Sequence, residues 1–184
     1  MNSFGRLFRV SIFGESHGPL VGVTLDGVPA GIALDEKSFE KDLNRRKSGK
    51  RGTTPRKESD LPEIATGLFQ GRTTGAPLTV LFRNENTLSG DYANLVAHPR
   101  PSHSDWVAAR KFGGFNDYRG GGHFSGRLTA PLVFAGAVAK QILARRGVFV
   151  GAHISSVYGI SDQLLEDCRS QGQDRKPDRR DRRL

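Results

Sequence analysis

The run from Leu128 to Leu143 constrains this chain most. Ala130, Leu132, Val133, Ala135, Gly136, Ala137, Val138, Ala139, Ile142 and Leu143 put small or apolar side chains on nearly every side of a helix, with no continuous polar stripe. A helix apolar all round is covered by other elements. Arg145-Arg146-Gly147 then supplies a basic last turn and a glycine stop. The rest of the chain must provide the cover.

Strand-like segments do so. Leu7–Phe13 and Val21–Leu25 are short apolar stretches on either side of a glycine-bounded turn, and read as two strands joined by a functional loop. After the turn at Asp26-Gly27-Val28-Pro29, Asp35 or Ser38 can cap a helix with Phe39 and Leu43 on one face, ending at Arg45-Arg46-Lys47. Ser48–Asp60 has almost no apolar residue and reads as a long basic loop. Ile64–Phe69 and Pro77–Phe82 read as strands flanking a turn at Thr73-Thr74-Gly75. Asp105 can cap a short helix through Lys111, Val148–Val157 reads as one more strand, and Ser161 starts a further helix through Leu164 and Leu165. The expected fold is α+β, a strand-rich core with one buried helix, and 184 residues can bury such a core.

The formal charge of +9 makes an anionic partner the first to consider. The charge lies in two blocks, Arg45–Lys57 and Arg175–Arg183. No aromatic residue is interleaved in Arg45–Arg51 to stack on bases, so a clamp for a small polyanion fits better than a nucleic-acid surface. The sequence has no run of about 18 apolar residues as a membrane helix needs and no signal pattern, so a cytoplasmic location without membrane attachment is expected. Cys168 stands alone and no Cys/His pair has zinc spacing, so no disulfide or metal is expected.

Chemistry can reside in three segments. Gly14-Glu15-Ser16-His17-Gly18 sets a hydroxyl and an imidazole between glycines, and His17 can move a proton near neutral pH. In isolation a loop histidine is more often solvated surface. Arg100-Pro101-Ser102-His103-Ser104-Asp105 puts a second imidazole beside an arginine and a carboxylate. Asp105 either orients that ring or caps the following helix, and residue type alone favours the cap. Asp117–Arg127 is a glycine-rich loop leading into the apolar helix, either a connector or, with Arg119 and Arg127 flanking it, an anion site. His98 and His153 have no such company and read as structural.

Together and in order, these segments resemble chorismate synthase from about Asn2 to Glu166. The residues carrying the resemblance are Gly14–Gly18 with Gly22–Pro29, the Arg45-Arg46 block, Arg100–Asp105, Asp117–Gly122 and Ser125-Gly126-Arg127, followed by Gly136-Ala137. The resemblance implies the N-terminal part of that family's β-α-β sandwich fold. It also implies a lyase of the shikimate pathway that converts 5-enolpyruvylshikimate 3-phosphate to chorismate and phosphate, in aromatic amino-acid biosynthesis. Reduced FMN would be required, with NADPH as a candidate reductant and a homotetramer as the full-length state. By the same resemblance His17 protonates reduced flavin, His103 protonates the leaving phosphate, and Ser16 and Ser125 relay the flavin proton. His123, Phe124 and Ser125 match the FMN-contacting triplet, and Arg46, Arg51 and Arg127 match positions that hold the phosphate of substrate or NADP. Many members have arginine at the place of His123, and Arg51 aligns only after deletion of one residue.

Two departures complete the expectation. The family chain is about twice as long, and its C-terminal Arg-x-Asp segment has no counterpart here. From Cys168 onward only two side chains are apolar, so residues 167–184 read as a basic, low-complexity, disordered tail after an incomplete domain at 1–166. A truncated or frameshifted, inactive product is the alternative to the enzyme within the family, and a basic nucleic-acid-binding module is the alternative outside it.

Overall fold

A computed structural model describes residues 2–49, 53–54, 56–87 and 89–162. The chain divides into two compact units, Met1–Gln141 and Ile142–Leu184.

The first unit is built on a five-stranded antiparallel sheet. Its strands are β1 (Ser3–Phe4), β2 (Arg9–Gly14), β3 (Leu20–Asp26), β4 (Glu63–Thr66) and, after the hairpin of β5 (Leu68–Phe69) and β6 (Arg72–Thr73), β7 (Leu78–Arg83). They lie in the order β1-β2-β3-β7-β4. Alternation decides which face is buried. Register places Val21 opposite Phe82, Val23 opposite Val80 and Leu25 opposite Leu78, and all six are fully buried. The other face is less covered, with the Thr24 and Thr79 hydroxyls 3.1 Å apart. There Gly22 is required: a Cβ would lie 2.5 Å from the Phe13 ring.

Three helices accompany the sheet: α1 (Glu36–Arg46), α2 (Asp105–Lys111) and α3 (Thr129–Ala144). Asp35 caps α1, accepting from the Lys37 amide and the Ser38 hydroxyl. The face carrying Phe39 and Leu43 turns inward. Phe134 of α3 joins the layers, its ring centroid 4.7 Å from that of Phe39 and 6.1 Å from that of Phe82. Gln141 ties α3 to the start of α1, donating to the Asp35 carbonyl at 3.0 Å and accepting from its amide at 2.9 Å.

Several expectations need correction. α3 is buried on one face only: Phe134, Ala135, Ala137 and Val138 are covered, whereas Leu132, Val133 and Ala139 are half-buried and Gly136 is exposed. The extended segment after Asp60 is not one strand, because Gly67 at φ +85° separates β4 from β5. The following turn lies between β5 and β6, before Thr73. In the second unit, Val148–Val157 is a strand only at β8 (Ser156–Val157), which pairs with β9 (Ile160–Ser161). Ser161 lies in β9 and closes that hairpin, while the helix expected from it through Leu164 and Leu165, like the 167–184 tail, lies outside the described residues. Among the described residues, no helix is long and apolar enough to cross a membrane.

Because Phe134 touches both α1 and the sheet, Phe134→Ala leaves a cavity between layers that neither can close alone. The expected loss is about 3–5 kcal/mol, read as a lower denaturant midpoint at unchanged slope.

Candidate functional site

The turn after β2 begins at Gly14, whose φ of +92° brings its Cα within reach of the β3 backbone, so that a Cβ would lie 2.3 Å from the Leu20 carbonyl oxygen. Asn84, just past β7, donates to the Glu15 and Gly18 carbonyls at 3.0 and 2.8 Å and so closes the turn. Ser16 is 1% exposed and His17 8%. These are not the solvated side chains that an isolated loop would carry.

His17 stands edge-on to Tyr92, centroids 5.0 Å apart. Burial holds its imidazole below the ordinary histidine range, and the positive charges of Arg56 and Arg119 act in the same direction against Asp117 and Glu58. Its neutral form is therefore favoured.

The glycine-rich segment fills the space against both histidines. Gly120, Gly121 and Gly122 all have positive φ, at +59°, +84° and +54°. A Cβ on Gly120 would lie 2.4 Å from His17 Cδ2, and one on Gly121 would lie 3.0 Å from His103 Cε1. A ribbon of bare backbone is thus packed against His17 on one residue and against His103 on the next. The Gly122 carbonyl accepts from the Ser16 amide at 3.0 Å, fixing the ribbon to the Gly14 turn.

His103 is oriented by Asp105, whose Oδ1 lies 2.7 Å from Nδ1. Asp105 also accepts from Arg100 through the amide at 3.1 Å, Nε at 2.7 Å and Nη2 at 2.9 Å. These bonds, the Arg100 side chain first, hold its carboxyl at about 2. This overturns the capping expectation: Ser104 is the N-cap residue of α2 and makes no side-chain cap bond, and Asp105 belongs to the histidine.

One cavity of about 630 Å³ gathers Ser16, His17, Arg46, Arg100, His103, Gly120, Ser125 and Arg127 on its wall. Arg46 ends α1, and its nearest carboxylate oxygen is Asp60 Oδ2 at 3.7 Å from Nε. Among the described residues, Nε and Nη1 of Arg46 are buried without a hydrogen-bond partner. Burial lowers the pKa of this guanidinium, Asp60 opposes that effect, and Arg127 and Arg56 reinforce it. Arg127 is spent differently: it pairs with Asp60 Oδ1 through Nη1, donates to Asn84 Oδ1 at 2.8 Å and donates to the Arg83 carbonyl at 3.0 Å. Three of its five donors are engaged within the protein. Arg119, one of the two arginines flanking the loop that reads as either a connector or an anion site, pairs with Asp117 at 2.8 Å. Arg51 lies outside the described residues.

The cofactor triplet is divided. Ser125 lies on this cavity, whereas His123 and Phe124 line a second hollow of about 580 Å³ with Phe13, Phe112 and Phe115. His123 Nδ1 is 2.9 Å from the Gly14 carbonyl oxygen. Sequence reasoning passed over Arg56, Glu58, Asp60 and Tyr92, although all but Asp60 line the main cavity. A signal was present: Arg56, Glu58 and Asp60 alternate, so an extended backbone sets all three on one side.

Known proteins share this arrangement of segments. The family model for chorismate synthase matches residues 8–181, running past Glu166 into the segment set apart as a tail. The chain is 61% identical over 162 residues to chorismate synthase of Chitinophaga pinensis, covering 88% of this chain and 48% of that one. It is 50% identical over 163 residues to the enzyme of Aeropyrum pernix, covering 89% and 43%. A crystal structure of chorismate synthase superimposes with a TM-score of 0.56 at 27% identity, over 89% of this chain and 40% of that one. The chain thus spans about half the length of the curated relatives it matches.

Two consequences can be measured. Gly120→Ala drives a methyl into the His17 ring at a left-handed position, so the unfolding midpoint falls and His17 titrates closer to its ordinary range as its burial is lost. The Asp105 carboxyl, depressed from 3.8 to about 2 in the fold, contributes stability that is present above 3.8 and lost as pH falls toward 2. Asp105→Asn removes that part of the acid sensitivity in pH-dependent unfolding. The chain belongs to the chorismate synthase family.

Proposed function

We propose that this chain forms the phosphate-binding and proton-handling part of a chorismate synthase site, acting on 5-enolpyruvylshikimate 3-phosphate. The observation carrying this reading is the pair of buried, partnerless donors on Arg46 at a cavity walled by two histidines. A desolvated cation without a hydrogen-bonded anion is costly in an empty protein. A bound phosphate turns that cost into affinity.

The chemistry assigned to each residue follows from its surroundings. Arg46 and Arg100 hold the substrate phosphate, and Arg127 keeps the cavity wall in place while presenting its remaining donors. His103, its Nδ1 2.7 Å from Asp105 Oδ1 and its ring nitrogens 3.2 and 3.4 Å from Arg100 Nη2, gives a proton to the departing phosphate. His17 and Ser16 handle the proton exchanged with the cofactor, for which a mostly neutral imidazole is well poised.

The donor set suits reduced FMN in part. Ser16, Ser125 and the bare Gly120 backbone offer hydroxyls and a flat approach at the cavity, while the side chains of His123 and Phe124 turn toward the other hollow. Reduced flavin, when bound, supplies the electron-rich ring on which the family's redox-neutral elimination depends. NADPH as the reductant, a homotetramer as the assembly and the cytoplasm as the location complete the proposal. A nucleic-acid role is disfavoured because Arg46 and Arg56, both from the basic block, face inward.

Flavin fluorescence and calorimetric titration test the reading with the chain as it stands. Reduced FMN and 5-enolpyruvylshikimate 3-phosphate should bind, each tightening the other. Arg46→Ala should weaken the phosphorylated substrate by roughly ten- to a hundredfold, the range for one charged hydrogen-bonding group, with no loss of unfolding free energy. Binding unchanged by Arg46→Ala, or no binding of either compound by the unmodified chain, refutes it.

A further inference from the structure

The strongest cluster outside the assigned residues is centred on Arg56. Its Nη1 donates to Ser16 Oγ at 2.7 Å and its Nη2 to the Ser16 carbonyl at 2.9 Å. The same guanidinium is fixed from behind by Glu58, with Nε and Nη2 at 2.8 and 2.6 Å from Oε1. Glu58 has little freedom of its own. Its side chain is 4% exposed, and it accepts from the Glu85 amide at 2.8 Å and the Asn86 amide at 3.3 Å. Although burial alone would raise the Glu58 carboxyl, the Glu85 amide and Arg56 pull it below the ordinary range. The Ser48 hydroxyl donates to the Arg56 carbonyl, so backbone and side chain are both held.

We propose that Arg56, braced by Glu58, is a positioning residue that fixes the direction of proton donation by Ser16 and the backbone from which His17 projects. Arginine has donors and no acceptor, so the Ser16 hydroxyl proton cannot be aimed at Arg56. With one lone pair of Oγ held by Nη1, that proton is directed to another acceptor. The Ser16 amide is engaged by Gly122 and its carbonyl by Arg56, so every polar group of the residue has an assigned direction. The peptide plane between Ser16 and His17 is fixed at the same time.

Charge adds a second effect of the same residue. Among the described residues, the ionisable and polar groups facing His17 include Arg56, Arg119, Asp117, Glu58 and the Tyr92 ring. After burial, Arg56 is the largest influence lowering the His17 pKa.

The proposal rests on reading Ser16 and His17 as proton-handling residues, but its test needs neither flavin nor substrate. Histidine ring NMR, with His17 assigned by His17→Gln, follows the titration, and amide exchange follows the Ser16 N–H. Arg56→Gln should move the His17 titration to higher pH and speed Ser16 exchange by about tenfold or more, as for a local opening. Arg56→Lys should keep the His17 titration near that of the unmodified chain, since the charge remains. It should nonetheless speed Ser16 exchange, because one ammonium cannot reproduce the planar fork. Glu58→Gln, which leaves Arg56 in place without its charged brace, should speed exchange too and serves if Arg56→Gln does not fold. Ser16 exchange unchanged in Arg56→Lys and Glu58→Gln overturns the positioning role. A His17 titration unmoved in a folded Arg56→Gln overturns the electrostatic one. Failure of flavin or substrate to bind leaves both readouts intact, so the two proposals fail separately.

Discussion

The buried pair of Arg127 and Asp60 is the contact on which the site depends. Arg127 lies at the entry to α3, Asp60 at the end of the basic loop, and the same guanidinium reaches Asn84 and the Arg83 carbonyl at the end of β7. Asn84 in turn closes the Gly14–Gly18 turn through the Glu15 and Gly18 carbonyls. Four segments far apart in sequence are therefore held by three side chains, Arg127, Asp60 and Asn84. Removing one member of a buried pair strands the other's charge, at a cost of about 3–5 kcal/mol, and here the cost would fall on the turn that carries Ser16 and His17.

The same carboxylate explains why Arg46 and Arg127 differ. Asp60 gives Oδ1 to Arg127 and leaves Oδ2 facing Arg46 at 3.7 Å without a hydrogen bond. The net result is a cavity with surplus positive charge and at least two unused donors. The overall charge of +9 gave no hint of this distinction, because a sum over the chain does not separate an arginine serving as an internal strut from one with unpaired donors at a cavity wall.

What could be read from sequence was what local periodicity records. Strand alternation gave β2, β3 and β7, Asp35 with Phe39 and Leu43 gave α1, and the apolar run gave α3 with its glycine ribbon. The order of motifs gave the family. Contacts set by tertiary geometry were less accessible. Asp105 is a good cap by residue type, yet Arg100 and His103 compete for its carboxylate through four short contacts in the folded turn. His123 and Phe124 adjoin Ser125 in sequence, but the left-handed Gly120–Gly122 backbone turns them to a different hollow. Val148–Val157 has strand composition, whereas its paired part is only Ser156–Val157, since composition alone does not supply a neighbouring strand.

The glycine ribbon links these observations to chemistry. Two imidazoles on the wall of one cavity keep distinct positions only if each ring is held in place. Gly120 packs on His17 and Ser16 while Gly121 packs on His103 and Arg100, so one stretch of backbone restrains both rings without a side chain of its own. Each ring is then set by a different charge. Asp105 Oδ1 lies 2.7 Å from His103 Nδ1 and orients that ring, whereas burial and then the Arg56 cation lower the pKa of His17. The two rings are thus held in different surroundings by one ribbon with no side chains, with two arginine-carboxylate clamps, Arg100 with Asp105 and Arg56 with Glu58, behind it.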